Sequence, residues 1–320
     1  MLPFLEKVVR GKNVPRDRLL EVAEHYDHFG GKSPINDQNR ALVAALGEEL
    51  RSRGPALPVY WGNRNWHPLL ADALRQMTAD GVRWALAYVT SAYSSYSGCR
   101  QYRDDIAAAR RGVGPAAPEI DKLRVFYNHP GFIEPQVERA QQAFSRVPAD
   151  RQAAARLIFT AHSIPVSMAA GCRYEAELHE ACRLVSERLG RATYDLVYQS
   201  RSGPPGQPWL QPDIDQFIAN LAASGPLADV VVVPIGFLSD HLEVLYDLDM
   251  QTRAVCERLG VNLVRAATVG NHPRFVRMIG ELIRERIDPA ATRLALGNFG
   301  PGPDDCPADC CPRPARPAAT

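Results

Sequence analysis

Short apolar, β-branched runs alternate with longer amphipathic stretches along most of this chain. The runs at 57–61, 84–91, 123–127, 157–163, 194–200, 230–237 and 262–268 predict strands. Leu157-Ile158-Phe159 and Val230-Val231-Val232-Val233-Pro234-Ile235 lack polar alternation, as strands buried on both faces do. Between the runs, apolar residues recur at helical spacing over 68–79, 135–144, 175–189 and 213–223. Strand–helix alternation at this spacing predicts parallel sheets with helices on both sides. The 320 residues amount to about two domains, so the expected α/β architecture is two doubly wound, Rossmann-like parallel-sheet units.

Composition narrows the function. Lys and Arg total 37 and Asp and Glu 36, for a net charge of +1, which offers no basic field to a nucleic acid. No apolar run reaches the ~18 residues of a membrane span, and the N-terminus lacks the layout of a signal peptide. A soluble cytoplasmic protein is expected. The absence of G-x-G-x-x-G after a strand and of G-x-x-x-x-G-K-[ST] disfavours a nucleotide-binding enzyme. An odd count of seven cysteines argues against a disulfide framework. Cys99, Cys172, Cys182 and Cys256 are scattered, as buried small apolar residues are, whereas Cys306, Cys310 and Cys311 crowd a polar, Pro-rich tail with no core to hide them.

In open α/β sheets the ligand sits beyond the carboxyl ends of the strands, and those segments here are rich in polar and aromatic residues. His162 ends the run Phe159-Thr-Ala-His162-Ser163-Ile-Pro165, where imidazole could serve as metal ligand or general base, or simply be satisfied by a backbone carbonyl. Asp240, Glu243 and Asp247 follow the next buried strand at i, i+3, i+7, which on a regular helix is one stripe of carboxylates. Crowded carboxylates raise one another's pKa and suit proton relay, although solvated helix faces also carry acids. Tyr60-Trp-Gly-Asn-Arg64-Asn65-Trp66-His67-Pro68 and Ser91-Ala-Tyr93-Ser-Ser-Tyr96-Ser-Gly-Cys99-Arg-Gln-Tyr102 interleave rings, Arg and hydroxyls. Such a lining suits a flat, apolar, carboxylate-bearing ligand. A Pro/Gly-rich loop bearing Trp209 follows Gln199-Ser.

Five stretches in collinear order resemble the ferrochelatase family, the iron-inserting enzymes of haem synthesis. They are Tyr26-x-x-Phe-Gly-Gly-x-Ser33-Pro-Ile, Gly62-Asn-Arg64-Asn-Trp, Ala161-His162-Ser163-Ile-Pro165, Gln199-Ser-x-x-Gly-Pro and Ser239-Asp240-His241-x-Glu243-x-Leu-Tyr-x-x-Asp. The Ser-Gly-Cys-x-Gln-Tyr stretch and the Cys-rich tail are similar to the actinobacterial branch, associated with coproporphyrin III rather than protoporphyrin IX. The resemblance implies two similar domains with a cleft between them, here 1–121 and 122–271. It also implies a helix near 272–288 returning to the first domain and a Pro/Cys-rich tail at 300–320. His162 and Glu243 match the pair that faces the porphyrin centre and binds Fe(II). Ser33, Tyr102, Arg64 and Trp209 match porphyrin-contacting or cleft positions. Asp240, His241 and Asp247 match an acidic path leading from Glu243, where the family has a π-type helical turn.

The resemblance further implies a [2Fe–2S] cluster on Cys306, Cys310, Cys311 and one internal cysteine, Cys99 before Cys172, although fourfold thiolate ligation equally suits structural zinc. Fe(II) is then a substrate, and the partners are the porphyrin and the next haem-pathway enzyme, with membrane contact at most peripheral. Compared with the family, roughly 20 residues forming a strand and a glycine-containing loop are expected upstream of Met1. The rival readings are a protoporphyrin IX ferrochelatase and a non-catalytic porphyrin- or haem-binding protein. Sirohydrochlorin and cobalt chelatases share the implied architecture but use paired histidines.

Overall fold

The computed structural model describes residues 2–8, 16–203 and 206–314. Residues 315–320 of the tail and Pro204 of the Gln199-Ser-x-x-Gly-Pro stretch lie outside them. In chain order the elements are α1 (Leu2–Val8), α2 (Arg16–Asp27), α3 (Ile35–Arg53), α4 (Leu70–Ala79), β1 (Trp84–Ala87) and a π-helical turn (Tyr96–Arg100) continuing into α5 (Gln101–Val113). Then come β2 (Glu119–Lys122), α6 (Pro130–Phe144), β3 (Arg156–His162), α7 (Val166–Ala169), α8 (Tyr174–Arg188), β4 (Asp195–Gln199), α9 (Ile214–Ser224) and β5 (Asp229–Val233). The short α10 (Leu242–Val244) runs into a π-helix (Leu245–Thr252), followed by α11 (Arg253–Leu259), β6 (Asn262–Arg265) and α12 (Pro273–Ile287).

β1 and β2 form a two-stranded parallel sheet, and the other strands form a four-stranded parallel sheet ordered β4-β3-β5-β6. The central pair is the one that the continuous apolar runs predict. Leu157, Ile158 and Phe159 of β3 and Val230 to Val233 of β5 are buried to within 1 %. Helices cover both faces of the sheet: Ala140 and Ala143 of α6 join one core with Leu178 and Val185 of α8, and Ile214 and Ile218 of α9 join the other with Cys256. Asp213 caps α9 by accepting from the backbone N–H of Asp215, which is why that helix starts where the apolar pattern does.

α12 packs on both α3 and α6 and so joins the two halves of the molecule. Its inner face buries Phe275, Val276, Ile279, Leu282 and Ile283. Glu285 on its last turn meets Arg124, just past β2, in a buried two-pronged ion pair of 2.7 and 3.0 Å.

Two predicted strands are corrected. Residues 57–61 join no ladder among the described residues; Pro58, at the second position, has no N–H to give a neighbour. Residues 123–127 lie just past a ladder that runs over Glu119–Lys122, a segment whose charged residues hide it from an apolar-run reading. Leu123 and Phe126 still donate backbone bonds to Ala87 and Ala92, so this stretch continues alongside β1 without regular pairing.

Candidate active site

The order β4-β3-β5-β6 makes a switch point between β3 and β5, because the chain leaves β3 toward β4 and returns on the opposite side. Crevices at such points, beyond the carboxyl ends of the strands, are where open α/β sheets bind ligands. His162 is the last residue of β3, and residues 234–243 leave β5 into the same crevice. The exit from β5 requires glycine. A Cβ on Gly236 would lie 2.7 Å from both Cα and Cβ of Ala161, and Gly236 N–H donates to Thr160 C=O at 3.0 Å.

The His162 ring is oriented by its own backbone. Nδ1 lies 2.5 Å from Ser163 C=O, and a carbonyl can only accept, so Nδ1 carries the proton and Nε2 of the neutral ring keeps its lone pair. Its own carbonyl accepts from the Tyr174 hydroxyl at 3.0 Å, and Ser163 Oγ donates to Leu210 C=O at 2.8 Å. The ring lies within electrostatic reach of His241 and Asp247.

The acids after β5 do not form the regular stripe. Asp240 precedes the helix, whose N-cap is His241, and the turn that follows is a π-helix. The Asp240 carboxylate pairs with Arg265 at 2.8 Å, and Arg265 also holds Asp249 at 2.7 Å. Glu243 remains 55 % exposed, with Oε2 3.9 Å from His241 Nδ1. Burial pushes His241 below the ordinary imidazole range against the pull of Glu243. Asp247 is pushed up to about 6, chiefly by burial and also by the Glu243 charge, while donors from Ser200 and Gln199 oppose the rise. The π-helix therefore leaves one open acid and one buried acid of near-neutral pKa in the crevice.

Sequence reasoning overlooked several neighbours of these groups. Gln199 donates to Asp247 Oδ2 at 3.2 Å, and Ser200 donates to the same oxygen from a left-handed backbone of φ 61°. Both stand in the Gln199-Ser stretch, so the residues were visible but not their partner. Tyr26 is pushed up to about 12 by burial and by the Glu243 charge, so its hydroxyl stays protonated beside that acid. His25 stacks on Tyr246 with centroids 3.7 Å apart, which carries α2 across to the π-helix.

The remaining predicted residues fall at three separate places. Arg64 donates to Asp105 at 2.6 Å and stacks over the Tyr102 ring at 4.6 Å, so these two side chains are neighbours. Ser33 Oγ accepts from Ile35 N–H at 3.4 Å, at the start of α3. The Trp209 ring lies against Gly203, where a Cβ would come within 2.3 Å of Nε1, so loop backbone covers it. Its indole N–H has no hydrogen-bond partner among the described residues.

The cysteines gather elsewhere. A cavity of about 650 Å³ has Cys99, Cys172, Cys306, Cys310 and Cys311 in its lining, and neither His162 nor Glu243. Cys310 and Cys311 have their sulfurs 3.5 Å apart, Cys311 contacts Cys99, and Cys306 contacts Cys310. Contact with Cys311 and the charge of Lys122 lower Cys99 to about 6, toward the thiolate that metals bind. Among the described residues no group of three or more His, Cys, Asp or Glu is arranged to hold a metal ion. Four thiolates are the donor set of a two-iron cluster and equally of a structural zinc.

The chain matches known proteins over most or all of its length. The ferrochelatase family model matches residues 1–287. A ferrochelatase of Rhodopirellula baltica is 53 % identical over 311 residues, covering 97 % of this chain and 88 % of that protein. Coproporphyrin III ferrochelatases of Frankia alni and Nocardia farcinica are each 49 % identical, covering 99 % and 100 % of this chain and 83 % and 94 % of theirs. Among solved structures, SirB from Bacillus subtilis with Fe3+ superposes with a TM-score of 0.57 at 11 % identity, over 81 % of this chain and 93 % of that one. The sirohydrochlorin chelatase SirB with cobalt gives 0.53 at 10 %, over 79 % and 92 %. These two show a chelatase-like two-domain α/β fold. With the family model matching residues 1–287 and relatives 49–53 % identical over nearly all of its length, the chain belongs to the ferrochelatase family, the lyases that insert Fe(II) into a porphyrin.

Proposed function

We propose that the protein inserts Fe(II) into coproporphyrin III to give Fe-coproporphyrin III (coprohaem), a step of haem biosynthesis carried out in the cytoplasm. The observation that carries this reading is the placement of a histidine with a free Nε2 lone pair and two acids, Glu243 and Asp247, about one switch point. The substrate rests on relatives at 49 % identity that are named for it.

The chemistry follows from these groups. Metal insertion removes two pyrrole protons and strips water from Fe(II). Neutral imidazole is a suitable ligand for Fe(II), and Nε2 of His162 offers the electron pair to metal or proton. Glu243 is open to the crevice, accepts protons as they leave, and is the second group facing the metal. Asp247, held near neutrality, passes protons on, with His241 lining the same path. Asp240 supports this wall through Arg265. Ser33, Tyr102, Arg64 and Trp209 hold the macrocycle. A rigid crevice that favours the puckered porphyrin would stabilise the transition state over the flat substrate.

Cys99, Cys306, Cys310 and Cys311 are the thiolates assigned to a [2Fe–2S] cluster. Bound there, it would supply a one-electron centre and a covalent strap between the tail and the turn that precedes α5. The product would pass to the next enzyme of haem synthesis.

The test is anaerobic Fe(II) insertion followed by absorbance, with coproporphyrin III and protoporphyrin IX side by side. Turnover of coproporphyrin III should fall by about 10²-fold or more in His162→Ala. Preference for protoporphyrin IX would overturn the substrate, and porphyrin binding without turnover would leave a haem carrier.

A further inference from the structure

One side chain joins α3 to the acid-bearing wall of the crevice. Gln38 Nε2 donates to Asp240 C=O at 3.1 Å, and Gln38 Oε1 accepts from Asp240 N–H at 2.9 Å. Both ends of one amide are thus satisfied by one residue's backbone, 202 positions away, as in the rung of a sheet. We propose that Gln38 is a positioning residue for iron insertion, fixing the Asp240–Glu243 wall against α3 and so the spacing at which the crevice grips the macrocycle. This deepens the chelatase reading and rests on it.

Each end of this rivet is itself held. Gln38 lies in the first turn of α3, where its N–H donates to Pro34 C=O at 3.0 Å, and α3 is packed under α12. At the other end the Asp240 carboxylate is fixed by Arg265, which grips Asp249 with its remaining donors at 2.7 and 2.8 Å. The next residue, His241, caps α10, and Glu243 is two residues beyond it. A shift of the Asp240 backbone therefore moves both groups relative to α3. Beyond Glu243, Tyr246 is held to α2 by its stack on His25. The charged groups around Gln38 are Asp37 and Arg40 on its own helix, which pair with each other at 2.5 Å. Across its two bonds stands Asp240, which pairs with Arg265 and through it Asp249, with His241 and Glu243 next along the chain.

The amide is needed for its donor as well as its acceptor, and that makes the role testable. Gln38→Glu keeps the shape and the acceptor for Asp240 N–H. Ionised, it sets a second oxygen against Asp240 C=O; protonated, it restores the donor. In the full chain at about pH 8, Gln38→Glu should lose about tenfold or more in kcat, with a higher KM for the porphyrin. The ratio of variant to wild type should climb as pH falls toward the carboxyl range. Gln38→Met, lacking both bonds, should show a similar loss with a ratio independent of pH. A role confined to folding would lower the melting temperature of both variants and leave the Gln38→Glu profile parallel to wild type. A Gln38→Glu profile parallel to wild type, or wild-type kcat and KM in either folded variant, would overturn the proposal. If Gln38→Glu does not fold, Gln38→Met decides alone through its kcat and KM. Should the wild type itself turn over no porphyrin, the chelatase reading is what has failed.

Discussion

Ser200 donates its hydroxyl to Asp247 Oδ2 from a backbone at φ 61°, a conformation that costs a non-glycine residue energy. The donor favours the carboxylate form, and burial disfavours it more strongly, leaving Asp247 at about 6. If Asp247 accepts protons in the reaction, kcat/KM should fall on the acid side through about pH 6. Ser200→Ala removes a donor to the anion, so its acid limb should move to higher pH, and Asp247→Asn should abolish the limb. A wild-type pH profile in Asp247→Asn would take this acid out of the proton path. Stability should follow the same linkage. The folded-state pKa is raised above the ordinary 3.8, so the contribution is full below about pH 4 and is lost as pH rises through about 6. Asp247→Asn should therefore gain on wild type between those values, by at most about 3 kcal/mol in urea unfolding.

Gly236 carries the exit of β5 past the end of β3. Because an added methyl would meet Ala161 Cα and Cβ at 2.7 Å, and backbone yields less than a side-chain tip, Gly236→Ala should cost about 1–3 kcal/mol. The displacement falls beside His162, so kcat should drop more than porphyrin affinity. Urea denaturation and a kcat-against-KM comparison check both halves.

Arg124 and Glu285 are 1 % and 4 % exposed, so each buried charge is compensated by the other. Glu285→Ala strands a guanidinium in the core and should destabilise by about 3–5 kcal/mol. The double variant Arg124→Met/Glu285→Met removes both charges and should be milder than the single change. Its remaining loss reflects the Leu294 N–H and C=O that the pair now satisfies at 3.1 and 2.8 Å. Chemical denaturation midpoints, with a milder single variant as the contrary result, decide it.

Much of the four-stranded sheet is legible along the chain because burial on both faces removes polar residues from β3 and β5. His162, Glu243 and Asp247 are legible as chemistry because acids and a histidine follow directly on those runs. The two-stranded sheet is poorly legible: β2 is Glu-Ile-Asp-Lys, and its pairing with β1 is a backbone matter that side-chain pattern does not encode. The stripe of Asp240, Glu243 and Asp247 was read at 3.6 residues per turn, and a π-helix changes the angular step.

Local pattern determined what this protein could become: alternating buried strands and amphipathic helices, with titratable groups at strand ends and thiols crowded in a Pro-rich tail, where tertiary packing nonetheless buries Cys311 to 3 % exposure. Those features depend on neighbours a few residues apart. Tertiary structure alone decided which groups meet: Ser200 with Asp247, Gln38 with Asp240, and Cys99 with Cys311. A hydrogen bond or a desolvated charge depends on distances between segments up to two hundred residues apart. Only the packing of α3, α12 and the central sheet fixes those distances.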